Sequence, residues 1–393
     1  MHPDSSDSQR PSAAPYPSPE EPPARSPRAP RLGWKASAGL FALTMVSVFA
    51  TYFSVDTGAA THARAMEAGQ FTCALLAILL AHEFGHYIAG RLHRVPVSLP
   101  YFIPLPFVSP FGTMGAFISV RSDIPTRRAL LDVGAAGPLA GLVLAIPLYA
   151  WGVAHSTVVP LDGNGVELGE SLILRGLEAI FGPKTPEGMT TLLSPIAFAA
   201  WAGLFVTMVN LVPAGQLDGG HIAYALFGTR QNRIAVWVHR SMLVFFAVSL
   251  ASFVARDLRA GAGLWHLGRH VNNSLFWVLW FEVLAVIGQI TTPTPEEDSE
   301  RLSVATRLVV TLGLMVTASL LLHHDSFFLW AALGVALVLL VAMEARWGAL
   351  RPGSTLLDNP PTGDERLSPV RTAVAVVTLA FFVLLFMPTP FVF

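Results

Sequence analysis

The feature that most constrains this chain is a series of apolar runs, each close to the length of a bilayer crossing: 34–54, 69–90, 129–152, 192–213, 239–256, 272–290, 305–323, 326–347 and 371–390. About 20 apolar residues in a helix span the hydrocarbon core. Lipid offers no hydrogen bonds, so backbone groups must pair within the segment, and a single apolar run achieves this only as a helix. The expected fold is an all-α polytopic membrane protein with about nine transmembrane helices. The fifth, sixth and seventh runs are shorter than the rest or carry a charge such as Glu282. Composition agrees, since only 13% of the 393 residues are charged against about 25% in soluble domains. Membrane lipid is the expected surrounding.

Other classes fall away on charge and cysteine. The formal net charge is -1, so no basic field supports nucleic-acid binding. Cys73 is the only cysteine, which excludes a disulfide framework and a cysteine zinc cluster within the chain. Residues 1–32 are rich in Pro, Ser and Arg and poor in large apolar residues. They cannot bury enough surface to offset ordering entropy, and are expected to form a disordered tail. Their layout is not that of a signal peptide. Lys and Arg favour cytoplasmic segments. With the tail inside and nine alternating spans, the outside segments hold only Arg64, Arg175, Lys184, Arg256, Arg259 and Arg269 of the 25 basic residues. This places the N-terminus in the cytoplasm and suggests a cytoplasmic (inner) membrane. The expected division is a tail at 1–32, a membrane core at 33–256 and C-terminal membrane helices at 257–393.

One apolar stretch does not read as a crossing. Residues 97–120, VSLPYFIPLPFVSPFGTMGAFISV, contain Pro100, Pro104, Pro106 and Pro110, and proline at that density prevents a regular helix. Irregular backbone at membrane depth survives only under cover of protein or a water-filled cavity. A re-entrant loop or hairpin packed beside something polar is expected. A further echo is ERLS, at 300–303 and again at 365–368, each after an acidic linker and before a span. It marks either a duplicated helical hairpin or a coincidence between two linkers.

The chemistry concentrates in two strings. The second run ends LLAHEFGHYIAGRL. His82 and His86 are four apart and share one helix face. Two imidazoles so placed can bind one zinc, with Glu83 close enough to polarise water on the metal. Three ionisable residues within five, at the end of an apolar run, need a common purpose; the plain alternative is a cluster snorkelling to the interface. A catalytic zinc takes three protein ligands and keeps a fourth position open. The fourth run ends NLVPAGQLDGGHIAYALFG. There Asp218 follows a proline break and precedes Gly219 and Gly220, which permit a tight bend. On the nine-span map both strings lie near the cytoplasmic face.

HEFGH on one span and NLVPAGQLDGG on a later one resemble the paired signatures of the site-2 protease family of intramembrane zinc metalloproteases. The resemblance implies that His82, His86 and Asp218 bind Zn2+, that Glu83 is the catalytic base, and that Asn210 sits in the active-site region in contact with substrate. PFGTMGAF at 110–117 is similar to the Gly-rich element of the subgroup with chloroplast and cyanobacterial members, and GAAGPLAG at 134–141 resembles the small-residue stretch on the family's next helix. The likeness covers roughly 69–228. Residues 326–393 look like the subgroup's C-terminal helix pair, 257–323 departs from it, and no PDZ domain is evident.

Physically, Gly137 and Gly141 form a small-xxx-small pair that lets helices approach closely, so packing is their expected role. His221, three residues past Asp218, is either a partner of the site or a packing residue. Cys73 lies about half a turn out of phase with His82 and should point away from the metal. The function implied is hydrolysis of peptide bonds in a transmembrane protein substrate. Three other readings stand beside it. A metal transporter has no need of Glu83 between two same-face histidines. A non-catalytic relative that binds membrane segments has no need of the intact set. A zinc protease with a glutamate third ligand would lack the LDG string. Nothing in the sequence sets an oligomeric state.

Overall fold

The structure is a computed structural model that describes residues 33–55, 60–118, 124–161, 166–261, 266–291, 302–321, 326–352, 354–360 and 362–392. The expected N-terminal tail and most of the linker before the first ERLS lie outside the described residues. The protein is a helical, multi-pass membrane protein. Its first helices are α1 (Trp34–Ser54) and α2 (Thr61–Leu92). A hairpin of β1 (Tyr101–Pro104) and β2 (Thr113–Phe117) follows, then α3 (Arg127–Ala154). A segment with β3 (Thr157–Pro160), β4 (Glu167–Leu168), α4 (Leu172–Phe181) and β5 (Met189–Leu192) leads to α5 (Pro195–Asn210) and α6 (Asp218–Phe227). The remaining elements are α7 (Arg230–Arg259), α8 (Leu267–Thr291), α9 (Val304–Leu321), α10 (Phe327–Trp347), α11 (Pro369–Leu385) and β6 (Phe391–Val392). Among the described residues seven helices are long and apolar enough to cross a membrane; α5 and α11 are shorter apolar helices at the other two expected positions.

Local chemistry sets the ends of the short ones. Ser194 caps α5, its hydroxyl accepting from the Ala197 N–H, and Pro195 occupies the first turn, where its missing N–H is no loss. Pro213 follows soon after Asn210 and ends the run. Ser368 and Pro369 start α11 in the same way.

The centre of the molecule is a triangle of α2, α3 and α5, in which glycines bring backbones together. A Cβ on Gly85 of α2 would overlap the Ala136 carbonyl of α3. One on Gly152 of α3 would meet the Ala197 backbone of α5 at 2.5 Å, and one on Gly203 of α5 would meet Ile78 of α2 at 2.7 Å. In lipid, where helices gain no hydrophobic energy by meeting, such close approach supplies the dispersion contact that holds them. Trp201, Tyr149, Phe71 and Leu131 fill the space between, each no more than 1% exposed.

Within the 97–120 stretch, the described residues 97–118 fold as the expected hairpin. β1 and β2 are antiparallel, with Tyr101 opposite Phe117 and Phe102 opposite Ala116. It docks on α1 at Gly112, whose carbonyl accepts from Ser47 Oγ at 2.5 Å. Gly112 has φ +72°, and a Cβ there would meet the α1 backbone at 2.7 Å, so conformation and contact both call for glycine. The described residues between α3 and α5 carry short paired strands. β3 pairs with β5, β4 with β6, and Trp201 Nε1 donates to the Gly169 carbonyl at 2.9 Å.

The later helices hold together differently. The charge in the sixth run, Glu282, is 3% exposed and faces Arg307 of α9, which is itself 2% exposed. Arg307 Nη1 lies 3.4 Å from Glu282 and also pairs with Glu344 of α10. Its Nε donates to Gln289 Oε1 at 3.2 Å. Charges this deep are tolerated only when paired.

Candidate metal centre

The two sequence strings meet where α2, α3 and α6 converge. His82 and His86 project from consecutive turns of α2, with ring centroids 4.9 Å apart and planes at 68°. Both aim at one carboxylate oxygen. Asp218 Oδ2 lies 3.1 Å from His82 Nε2 and 3.3 Å from His86 Nε2. One potential ligand atom from each of the three lies within 4.8 Å of the others. Two imidazoles and a carboxylate, largely buried, make a donor set suited to zinc with one position left open.

The surroundings fix each group. His86 Nδ1 donates to the Val133 carbonyl of α3 at 2.7 Å, so Nε2 carries the free lone pair. A backbone carbonyl on the far ring nitrogen is the usual way a metal-binding imidazole is oriented. The GAAGPLAG stretch forms the wall behind the rings. A Cβ on Gly137 would overlap the His86 ring, and one on Gly141 would come 3.3 Å from His82 Nδ1. The expected packing role of these glycines thus extends to the histidines themselves. Glu83 is 6% exposed, next to His82 on the same turn. Asn210, the last residue of α5, places Nδ2 3.4 Å from His82 Nε2. All five residues singled out from the sequence are therefore gathered here.

Asp218 opens α6, and the turn before it is built of glycine. Gly215 has φ +56°. A Cβ on Gly219 would overlap the Leu211 carbonyl, and one on Gly220 the Gly215 carbonyl. Any side chain there would push Asp218 out of line. Cys73 is exposed and lines an apolar groove between α1 and α2, among Phe41, Met45 and Leu76, away from the cluster.

Some neighbours left no mark in the sequence. Asn359, between α10 and α11, is 5% exposed and bonds to His221 and Gly215 on either side of Asp218. Asp132 on α3 takes Arg371 of α11 at 2.7 Å and His93, just past α2, at 2.8 Å. The only cue for any of these was that a polar residue stood near an apolar run.

Fold and cluster together define a multi-pass membrane protein with a largely buried His-His-Asp cluster, its histidines on an HExxH helix and its aspartate on a later one. Residues 70–252 match peptidase family M50. The protein named "Probable zinc metalloprotease EGY2, chloroplastic" from Oryza sativa subsp. indica is 36% identical over 160 residues, which is 39% of this chain and 28% of that protein. "Probable zinc metalloprotease EGY1, chloroplastic" from Arabidopsis thaliana is 35% identical over 160 residues, 39% of this chain and 29% of that protein. "Probable zinc metalloprotease EGY3, chloroplastic" from Oryza sativa subsp. japonica is 26% identical over 168 residues, with 39% and 28% covered. The chain thus spans less than a third of the length of these relatives. No solved structure matches it. Residues 70–252, just under half of the chain, are thus similar to peptidase family M50, and these relatives are named as zinc metalloproteases.

Proposed function

We propose that this protein is a zinc-dependent intramembrane endopeptidase acting on transmembrane protein substrates, with His82, His86 and Asp218 holding the metal. The observation that carries the reading is the convergence of both Nε2 atoms on one Asp218 oxygen, with Glu83 buried beside them. Zinc, when bound, acidifies water and polarises a scissile carbonyl. The chain's own residues do the rest. Glu83 accepts the proton of the attacking water and delivers it to the nitrogen of the leaving amine. Val133 and the Gly137–Gly141 wall keep the imidazoles aimed. Asn210, at the edge of the centre, offers its amide to substrate.

A helical substrate hides its scissile bond in intrachain hydrogen bonds and must unwind before attack. β2 suits the unwound segment. It belongs to a two-stranded sheet and exposes Met114 and Phe117, so an extended segment could add beside it as a further strand. The setting we propose is a cytoplasmic membrane with the N-terminus inside. A transporter reading is less well supported, because the buried charges of α8, α9 and α10 pair with one another.

The test sets Glu83→Gln beside Asp218→Asn, with zinc content and cleavage of a membrane-protein substrate measured on both. Glu83→Gln is expected to keep zinc and lose about 100- to 10,000-fold in cleavage, the usual contribution of a general base. Asp218→Asn is expected to lose zinc and cleavage together. Cleavage by Glu83→Gln at the wild-type rate would sink the mechanism.

A further inference from the structure

We infer that the segment between α10 and α11 acts as a strap that sets the position of Asp218, with Asn359 as its positioning residue. The inference rests on the proposed reading of Asp218 as a metal ligand. It concerns a part of the chain outside the matched residues 70–252.

The argument begins with what one buried amide holds. Asn359 Nδ2 donates to the Gly215 carbonyl at 3.1 Å, three residues before Asp218. Asn359 Oδ1 lies 3.2 Å from His221 Nδ1, three residues after Asp218, and 3.5 Å from Gln216 Nε2. A carbonyl can only accept, so the Gly215 contact fixes which way the amide points. His221 must then donate from Nδ1. The Asn359 N–H donates to Asn232 Oδ1 at 3.3 Å, and Gln216 Nε2 donates to the Asp358 carbonyl at 3.3 Å. One side chain thus spans the bend that carries Asp218, using a donor on one side and an acceptor on the other. Aspartate would lose the donor, and leucine would lose both.

The bend needs such a clamp. Gly215, Gly219 and Gly220 allow it to form, but glycine leaves the backbone free to move. Leu357 of the strap closes over the turn, coming 3.2 Å from where a Cβ on Gly215 would sit. The other end of the strap is anchored away from the centre. The Ala349 N–H donates to Glu344 Oε2 at 2.7 Å, the Leu350 N–H to the Glu344 carbonyl at 3.1 Å, and Arg240 Nη2 to the Leu350 carbonyl at 3.3 Å. The strap therefore runs from the charged knot of α8–α10 to the turn before α6. A ligand held to within about 0.5 Å needs supporting contacts of this kind, and their loss typically lowers metal affinity about 10- to 100-fold.

The test uses the full-length protein with Asn359→Ala, His221→Phe and the double variant, with Asp218→Asn as a control. Metal retention is measured by chelator competition, the centre by the visible spectrum of the cobalt-substituted protein, and turnover as kcat and KM separately. Asn359→Ala is expected to weaken metal retention about 10- to 100-fold, to shift the cobalt bands and to lower kcat with KM unchanged. The double variant should be little worse than Asn359→Ala alone, since that variant already breaks the one contact that His221→Phe removes. If Asn359→Ala fails to fold, His221→Phe carries the test, because it removes that contact from the other side. Wild-type metal retention and cobalt bands in the folded variant, with Asp218→Asn losing metal, would overturn the strap. Effects of the two single variants that simply multiply would overturn it too. Metal retained in Asp218→Asn would instead overturn the ligand reading beneath it.

Discussion

α3 buries 61% of its membrane-length stretch inside the protein, whereas α10 buries 17%. The two helices show two ways of holding apolar segments together in a solvent that gives them no hydrophobic reason to meet. Around α3 the device is the missing side chain. Gly137, Gly141 and Gly152 let histidine rings and the backbone of α5 come within contact of the α3 backbone. Around α10 the device is a knot of charge, Arg307 between Glu282 and Glu344. Glycine contacts inside a helix are set by hydrogen-bonded backbone, which has little room to adjust, so they hold spacing closely, unlike the turn glycines around Asp218. An ion knot is made of long side chains, so it ties helices firmly while leaving their exact spacing adjustable. The candidate metal centre is built on the first kind and the strap's outer anchor on the second.

The largest effect should come from breaking the glycine device at the centre. Gly137→Ala puts a methyl group where the His86 ring now lies. His86 must leave its bond to Val133, so zinc content should collapse and cleavage fall by about 100-fold or more. Gly313→Ala on α9 and Gly334→Ala on α10 serve as comparison, since a Cβ at either position meets nothing within 4 Å. Both should keep zinc and activity. Equal loss from all three would erase the contrast between the two regions.

Next in size is the charge knot. Arg307→Ala leaves two buried carboxylates without their cation, which should cost about 3–5 kcal/mol of stability, measured by thermal or denaturant unfolding in detergent. Replacing Arg307, Glu282 and Glu344 together by apolar residues of similar volume should be close to neutral, because a buried ion pair exchanged whole for packing often is. A triple variant as unstable as Arg307→Ala would show that the knot does more than cancel its own burial.

This division also explains what could be read from the sequence. Apolar runs mark helices wherever lipid decides the matter, and so α1, α3 and α10 fall within two residues of their expected bounds. Hydropathy does not see polar turns that continue a helix into water, which is why α7 begins at Arg230 rather than near 239, and α2 at Thr61 rather than 69. HEFGH and LDGG were legible because the proposed ligands come from short strings whose spacing is itself the chemistry. Asn359 and Arg371 were not, because their partners lie more than 120 residues away and a long-range contact leaves no period. α4 was missed for a related reason. Its ten residues, LILRGLEAIF, are too few for a crossing and sit in a loop rich in acid and proline.

The smallest expected effect belongs to α4, where neither device operates and a hydrogen bond between Tyr149 and Glu178 ties the helix to α3. Tyr149, on α3, donates its hydroxyl to Glu178. Burial pushes the Glu178 carboxyl above its ordinary value, and Glu170 nearby pushes the same way, while the bond from Tyr149 and the charge of Arg175 pull it down. The sign follows from linkage. A carboxyl whose folded pKa is raised favours the folded state while it is protonated. Its contribution is therefore fully present below about pH 4.3, the unfolded value, and is lost as pH rises through the folded pKa. Docking of α4 on α3 should loosen slightly over that window, seen as faster amide exchange along 172–181 after correction for the intrinsic pH dependence of exchange. Glu178→Gln stays neutral, keeps an acceptor for Tyr149, and should flatten the dependence without touching zinc content. If that variant shows the same pH response as wild type, α4 is held through Leu174 and its apolar neighbours instead, and belongs with the packed helices of the first region.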